Sequence, residues 1–435
     1  MKTGVIGGGI AGLVAAWSMK NAGIDVTVFE RSGRTGFDAG NTVVSREKEN
    51  RGKEPPFEVD VPLRLHNSSQ WPQLLNLFRT IDVRAVEVDS SQSFCSCSGE
   101  HYLSIGDAGL FSINPVVLAH RWGRKIAADI YRFRNNGLKD LERGIDPELS
   151  FSEYLEAGDY SNEFRFRFLY PILSSTVCTC TYSALDNYPA SIVVEALSKI
   201  TSIDNQSKSF LFRSKYGSKD VAEKLLISNP TVFTNCSVVS VREVGNKVIV
   251  KSCITKTGEC MVDEFDHVVV ALQANHATRV LDRAWEGLLM GFEYEDVEVF
   301  VHRDENLMPS HKRNWATFNL LSSERAAGCS IWLPKFYDNN ELPADLFQTI
   351  NPVVAPEDSK VLAYRKLQRP IVRQNYFEMW DGIKSKDNKK PNSKIWLAGS
   401  YSRPGIPLLE TGVVSSLEVA ERIKGCLGKK LSVSN

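Results

Sequence analysis

Residues Gly4 to Leu13 read GVIGGGIAGL, and Gly7, Gly9 and Gly12 within them keep the Gly-x-Gly-x-x-Gly spacing. A helical stretch follows, then Val26-Thr27-Val28-Phe29 and an acid, Glu30. Strand, glycine loop, helix, strand and acid in that order specify a parallel βαβ unit with a dinucleotide diphosphate on the helix N-terminus. Gly7 permits the tight turn out of the first strand. Gly9 carries no β-carbon to block a pyrophosphate, and Gly12 lets helix and strand pack closely. Glu30 lies eighteen positions after Gly12, where a carboxylate accepts ribose hydroxyls and repels a 2′-phosphate. Arg31 beside it weakens that exclusion, because a guanidinium accommodates phosphate.

The chain has 435 residues, 43% of them hydrophobic, enough for about two or three domains. Lys+Arg and Asp+Glu both total 52, so no electrostatic case arises for nucleic acid or an anionic bilayer. No run approaches the ~18 apolar residues of a membrane span, and the N-terminus enters a strand without a signal-like core. Nine cysteines leave at least one unpaired, so a soluble cytoplasmic protein is expected. The pairs Cys95/Cys97 and Cys178/Cys180 lack zinc spacing and read as small buried residues sharing one face of a strand.

Farther along, Gly33-Arg34-Thr35-Gly36 and Gly40-Asn41-Thr42 form a glycine-punctuated loop, and the polar stretch from Ser45 to Pro56 reads as a solvated insertion. FEVDVPLRLHN, from Phe57, alternates like one strand. Helical spacing follows from Trp71 to Phe78, with Pro72 in the first turn, and again over Val116 to Arg143, Phe164 to Leu173 and Ser191 to Ile200. Thr231 to Val241, Lys247 to Thr255 and Met261 to Leu272 read as three strands, the last ending in an apolar run suited to the parallel sheet that began at Gly4. Further strands are expected at Val297 to His302, Trp315 to Leu321 and Ser330 to Leu333. Near the end, Lys394 to Ser400 reads as a strand, and Glu410-Thr411-Gly412 opens an amphipathic helix closed by Gly425. A strand end beside a helix N-terminus again suits a cofactor.

These residues resemble the FAD-dependent amine-oxidase and phytoene-desaturase superfamily, most closely a branch of predicted NAD/FAD-binding flavoproteins associated with fatty-acid modification. The likeness spans nearly the whole chain: GVIGGGIAGLVAAW, VDVPLRLHNSSQWPQLLNLFRTIDV, DHVVVALQANHATRVL, HRDENLMPSHKRNWATFNLL, QTINPV and IWLAGSYSRPGIPLLETGVVSSLEVAERI. It implies an α/β fold, in which a Rossmann-like FAD-binding domain is assembled from discontinuous segments (1–66, 206–282 and 390–428). An inserted α+β substrate domain (67–205 and 283–389) and a tail (429–435) complete it. By the same likeness Gly7, Gly9 and Gly12 hold the diphosphate of FAD, Glu30 the ribose with Arg31 next to it, and Arg34 and Gly36 the approach to the flavin. The Ser237-Val238 backbone faces adenine, and Gly399 and Ser400 lie beside the ribityl chain. The helix start at Glu410, Thr411, Gly412 and Val413 aims amide dipoles at the pyrimidine edge, where a reduced flavin carries negative charge.

Three departures from the pattern stand out. Phe37-Asp38-Ala39 interrupts the usual double glycine, Ser400 stands where many relatives have Asp, and Glu295 to Phe300 lacks the lysine that amine oxidases place over the flavin. The last two argue against aromatic hydroxylation and amine oxidation respectively. With no second Gly-x-Gly-x-x-Gly loop, electrons should come from an organic substrate as a hydride to flavin N5, with molecular oxygen the candidate acceptor.

Candidate catalytic groups are Arg64 and His66, placed on one strand face by alternation, together with Tyr216 and Tyr364. His302-Arg303-Asp304 reads as a surface polar network. FRFRFLYPILSSTVCTCTYSALDNYP supplies aromatics either for an apolar substrate pocket or simply for a core. Three functions stay open: oxidation of a small hydrophobic molecule, double-bond isomerisation without net redox change, and a non-catalytic dinucleotide-binding scaffold.

Overall fold

The first strand, Lys2–Ile6, lies at the centre of a five-stranded parallel sheet whose members come from both ends and the middle of the chain. The sheet runs Thr231–Phe233, Asp25–Phe29, Lys2–Ile6, His267–Val270, Ile395–Leu397. Both faces are covered: Val5, Val26, Val28 and Val269 pack with Ala15, Ala16 and Met19 of the first helix and Val419, Ala420 and Ile423 of the last on one face, and Ile6, Phe29, Val268 and Val270 join a cluster with Phe265 on the other. Burial on two sides explains the unbroken apolar run HVVV. This computed structural model describes residues 1–37, 41–44, 57–67, 71–106, 115–200, 211–338, 342–389 and 393–432. The expected insertion between Ser45 and Pro56 lies outside them.

Two expected strands are each divided. The run from Met261 to Leu272 serves two sheets: Cys260–Phe265 joins Cys236–Val244 and Lys247–Ile254 in an antiparallel sheet, and His267–Val270 turns into the parallel one. Asp266 pins the corner, accepting the Lys2 amide at 2.9 Å and the Lys247 ammonium at 3.1 Å. The run from Thr231 to Val241 breaks at Asn235, whose φ of +50° is left-handed and ends strand geometry.

FEVDVPLRLHN is also not one strand. Phe57–Asp60 ends at a cis Val61-Pro62 bond, and only His66–Asn67 resumes pairing. A proline donates no amide to a ladder. Arg64 therefore sits between strands, so strand alternation does not place it on a face with His66. Gln348 holds the connection, accepting the Leu63 amide at 2.8 Å and donating to the Asp60 carbonyl at 2.9 Å.

A seven-stranded sheet floors the second lobe, in the order Val361–Pro370, Tyr294–His302, Phe347–Ile350, Ala327–Trp332, Phe318–Ser322, Gln92–Ser96, His101–Ile105. Its buried face and the helices between residues 115 and 200 share one hydrophobic cluster. Where one helix was expected over Phe164 to Leu173, short α turns alternate with π turns at Arg165–Leu169 and Leu173–Val177. Pro171, which has no amide to donate, lies between the two π turns.

Other sequence expectations are corrected by packing. The C-terminal helix, Leu409–Ser432, runs through Gly425 instead of closing there. A mid-helix glycine costs only about 1 kcal/mol, and Ala420 and Ile423 are fully buried just before it. His302 and Asp304 are buried, not superficial. His302 Nδ1 accepts the Asp304 amide at 3.0 Å, so its neutral ring donates from Nε2 to Thr349 Oγ1 at 2.7 Å. Asp304 in turn accepts the Glu357 amide and Lys360.

The cysteine pairs do not share a strand face. Cys95 is buried but Cys97 is exposed, and Cys178 and Cys180 flank a turn at Thr179. A disulfide joins Cys253 to Cys260, which stand opposite one another on adjacent antiparallel strands. No described helix is long and apolar enough to cross a membrane.

Candidate active site

The glycine loop is built by close approach. Gly7 has φ +103°, and a β-carbon there would lie 2.6 Å from the Ala271 carbonyl oxygen. Gly12 is tighter: its β-carbon would lie 1.9 Å from the Gly7 oxygen. At Gly9 nothing lies within 4 Å of the added carbon. Open space at the N-cap of the Ile10–Asn21 helix, which no side chain caps, is what a diphosphate needs. Glu30 Oε2 accepts the Gly8 amide and Oε1 the Ser32 amide, each at 2.7 Å. A carboxylate has about four acceptor positions, so capacity for ribose hydroxyls remains after both bonds. The Gly36 amide donates to the Gly8 carbonyl at 2.9 Å and brings the next loop alongside.

One cavity of about 1630 Å³ runs from this loop into the second lobe. Its dinucleotide end is lined by Gly7, Gly9, Glu30, Arg31, Arg34, Gly36, Ser237, Val238, Gly399, Ser400 and Gly412, which the fold brings together from four parts of the chain. Gly12 is buried under the loop. The other helix-start residues lie elsewhere. Val413 is fully buried among Leu13, Val14 and Phe37. The Thr411 hydroxyl accepts the Leu408 amide at 3.0 Å. Glu410 accepts the amides of Gln73 and Leu74, at 2.9 and 2.8 Å, and so caps the Pro72–Thr80 helix.

Beyond the dinucleotide end the walls become apolar, with Phe133, Phe164, Phe168, Ile172, Phe318 and Ile331 among them. The aromatic segment divides its labour: Phe164 and Phe168 face the cavity, whereas Tyr170, Tyr182 and Tyr188 are buried without lining it. Arg64 and His66 both line the cavity. His66 is 3% exposed, between the rings of Trp71, Phe78 and Phe212, and its Nε2 has no partner. Burial pushes its pKa down to about 4, so the ring is neutral near pH 7 and a weak base there. Tyr216 and Tyr364 do not line the cavity. Tyr216 is 61% exposed, and Tyr364 is 41% exposed with its hydroxyl on Glu298 at 2.7 Å.

Sequence reasoning missed two groups. Arg369, at the end of the Val361–Pro370 strand, lines the cavity, and no local pattern around it marks a site. The capping role of Glu410 did leave a trace, because Pro72 opens a helix whose N-cap, Trp71, offers no side-chain acceptor.

The comparisons with known proteins agree with this geometry. The family model for an NAD(P)-binding Rossmann-like domain matches residues 5–81. No curated protein sequence matches the chain. Among solved structures, cyclohexylamine oxidase from Brevibacterium oxydans IH-35A superposes with a TM-score of 0.65 at 11% identity, covering 98% of this chain and 99% of that one. A protein from Exiguobacterium sp. 255-15 assigned as a protoporphyrinogen oxidase gives 0.65 at 12% identity, covering 97% and 98%. The CLA-producing fatty acid isomerase from P. acnes gives 0.63 at 13%, again over 97% and 98%. Residues 5–81 thus match a Rossmann-like domain, and over nearly its whole length the chain has the fold shared by these solved structures.

Proposed function

We propose that this protein is an FAD-dependent oxidoreductase that dehydrogenates or desaturates a small, largely hydrophobic organic molecule. The observation that carries this reading is the continuity of the cavity. At about 1630 Å³ it exceeds the roughly 300–1,000 Å³ of an ordinary ligand pocket and has room for a dinucleotide and a substrate end to end. When bound, FAD supplies a hydride acceptor at flavin N5.

The chain's own residues do the rest. Gly9 leaves the diphosphate its space, and Glu30, fixed by two amides, presents a carboxylate to the ribose. The N-terminus of the Leu409–Ser432 helix, whose Leu409 and Gly412 line the cavity, favours negative charge beside it. Phe133, Phe164, Phe168 and Phe318 keep water from the reacting carbon and orient it. His66 and Arg64 are two of the ionisable groups that line the cavity, His66 as a neutral hydrogen-bonding imidazole. In this reading segments 1–66, 206–282 and 390–428 carry the cofactor, and 67–205 with 283–389 carry the substrate.

The test is spectroscopic. Purified protein should be yellow with flavin absorbance, and a substrate should bleach it without oxygen. Gly9→Val should fold, because its side chain enters open space, yet lose the flavin; full flavin occupancy in that variant would contradict the assignment. A second reading, double-bond isomerisation, is favoured by the structural likeness to a fatty acid isomerase. Turnover that leaves the flavin spectrum oxidised and consumes no acceptor would select it.

A further inference from the structure

The cavity contains a cationic group that the proposed function does not use. Arg369 Nη2 donates to the Val177 carbonyl at 2.7 Å and, at 3.5 Å, to that of Pro407; Nη1 donates to Thr179 Oγ1 at 3.1 Å. Every one of these acceptors is neutral. Among the described residues no carboxylate pairs with this guanidinium, and its buried Nε has no hydrogen-bond partner. Three of five N–H donors at most are engaged. Removing a cation from water without a counter-charge is expensive. Burial accordingly pushes the Arg369 pKa down, and Arg64 nearby pushes it the same way. Arg134 lines the same cavity.

The wall beside Arg369 is strained as well. Thr179 holds φ +52°, a left-handed conformation costly for a β-branched residue, and its hydroxyl is one of the guanidinium's acceptors. Such strain persists where the surroundings over-determine it, as at ligand clamps. The lining on either side of Arg369 and its acceptors is mixed, with Leu367, Pro370 and Val177 beside Gln368, Ser175 and Thr176, and the same cavity continues into apolar walls that include Ile172, Phe168 and Ile350. A cavity-lining guanidinium with only neutral acceptors and a second cation nearby lacks one thing, a monoanion whose two oxygens match its N–H donors.

We propose that the substrate is an amphipathic carboxylic acid, its carboxylate held by Arg369 with Arg64 close by and its hydrocarbon laid along the aromatic wall. The proposal rests on reading this cavity as the substrate site.

Calorimetric titration of the full chain, as purified, with decanoate, decanol and decyl phosphate tests it. Decanoate should bind at least about tenfold more tightly than decanol, and Arg369→Gln should weaken decanoate by roughly 10- to 100-fold while leaving decanol within about twofold. Equal affinity for acid and alcohol, a preference that survives Arg369→Gln, or tighter binding of decyl phosphate than of decanoate would each overturn it. Should the glutamine variant fail to fold, the wild-type comparison still decides, and Arg369→Lys, which keeps charge but loses the fork, should weaken decanoate about tenfold. Colourless protein would sink the flavin reading separately, since calorimetry needs no chromophore.

Discussion

Gly9 and Gly12 stand three positions apart in opposite surroundings, and substitution should separate them. Gly9→Val meets nothing within 4 Å and should cost binding, not folding. Gly12→Ala places a carbon 1.9 Å from a backbone oxygen that cannot move without opening the loop. It should destabilise the protein by roughly 3 kcal/mol or more, seen as a lower urea midpoint. His66 makes a prediction about pH. Its pKa falls from 6.5 to about 4 on folding, so between those values the unfolded chain binds more protons than the folded one. Its contribution is present above about pH 6.5 and is lost as pH falls toward 4, on the order of 3 kcal/mol in all. His66→Gln should therefore narrow the gap between melting temperatures at pH 7 and pH 5 by a few degrees. An unchanged gap would show that the imidazole is not buried as described.

Among the elements, the Pro72–Thr80 helix and the C-terminal helix are joined by the buried cluster of Leu74, Leu77, Phe78 and Val413 and by one carboxylate. Trp71 provides no capping oxygen, so Glu410, more than three hundred residues later, satisfies the amides of Gln73 and Leu74. Glu410→Ala should lower stability by about 1–2 kcal/mol, read in a thermal melt, and should expose the Pro72–Thr80 helix to faster amide exchange than the rest of the molecule. The same C-terminal helix runs past Gly425, whose cost of about 1 kcal/mol is small beside the buried face that Val419, Ala420 and Ile423 supply just before it. Local helix signals lose to tertiary burial when a whole apolar face is at stake.

At the scale of the molecule, the parallel sheet cannot be completed without the last forty residues. Ile395–Leu397 pairs with His267–Val270, and Trp396, Val419, Ala420 and Ile423 close the core over the first helix. A chain ended after Lys394 should therefore be insoluble or lack a cooperative melt, although the whole glycine loop remains.

Much of this was legible in the chain itself, for a reason of range. The glycine loop, its acid and the buried strands at Val26 and His267 are local patterns in which backbone sterics and a period of two or 3.6 dictate the outcome. Neighbours distant in sequence decided what local pattern cannot express. Asp266 divides one apolar run between two sheets, and Pro62, which has no amide to donate to a ladder, leaves Arg64 between strands. His302 goes inside because Thr349 and Asp304 satisfy it, and Arg369 reaches a cavity whose walls come from segments nearly two hundred residues away. Sequence thus determined the Rossmann-like glycine loop and its buried strands; tertiary structure alone decided which charges face the cavity beside them, because burial and pairing are properties of the folded environment and not of any residue.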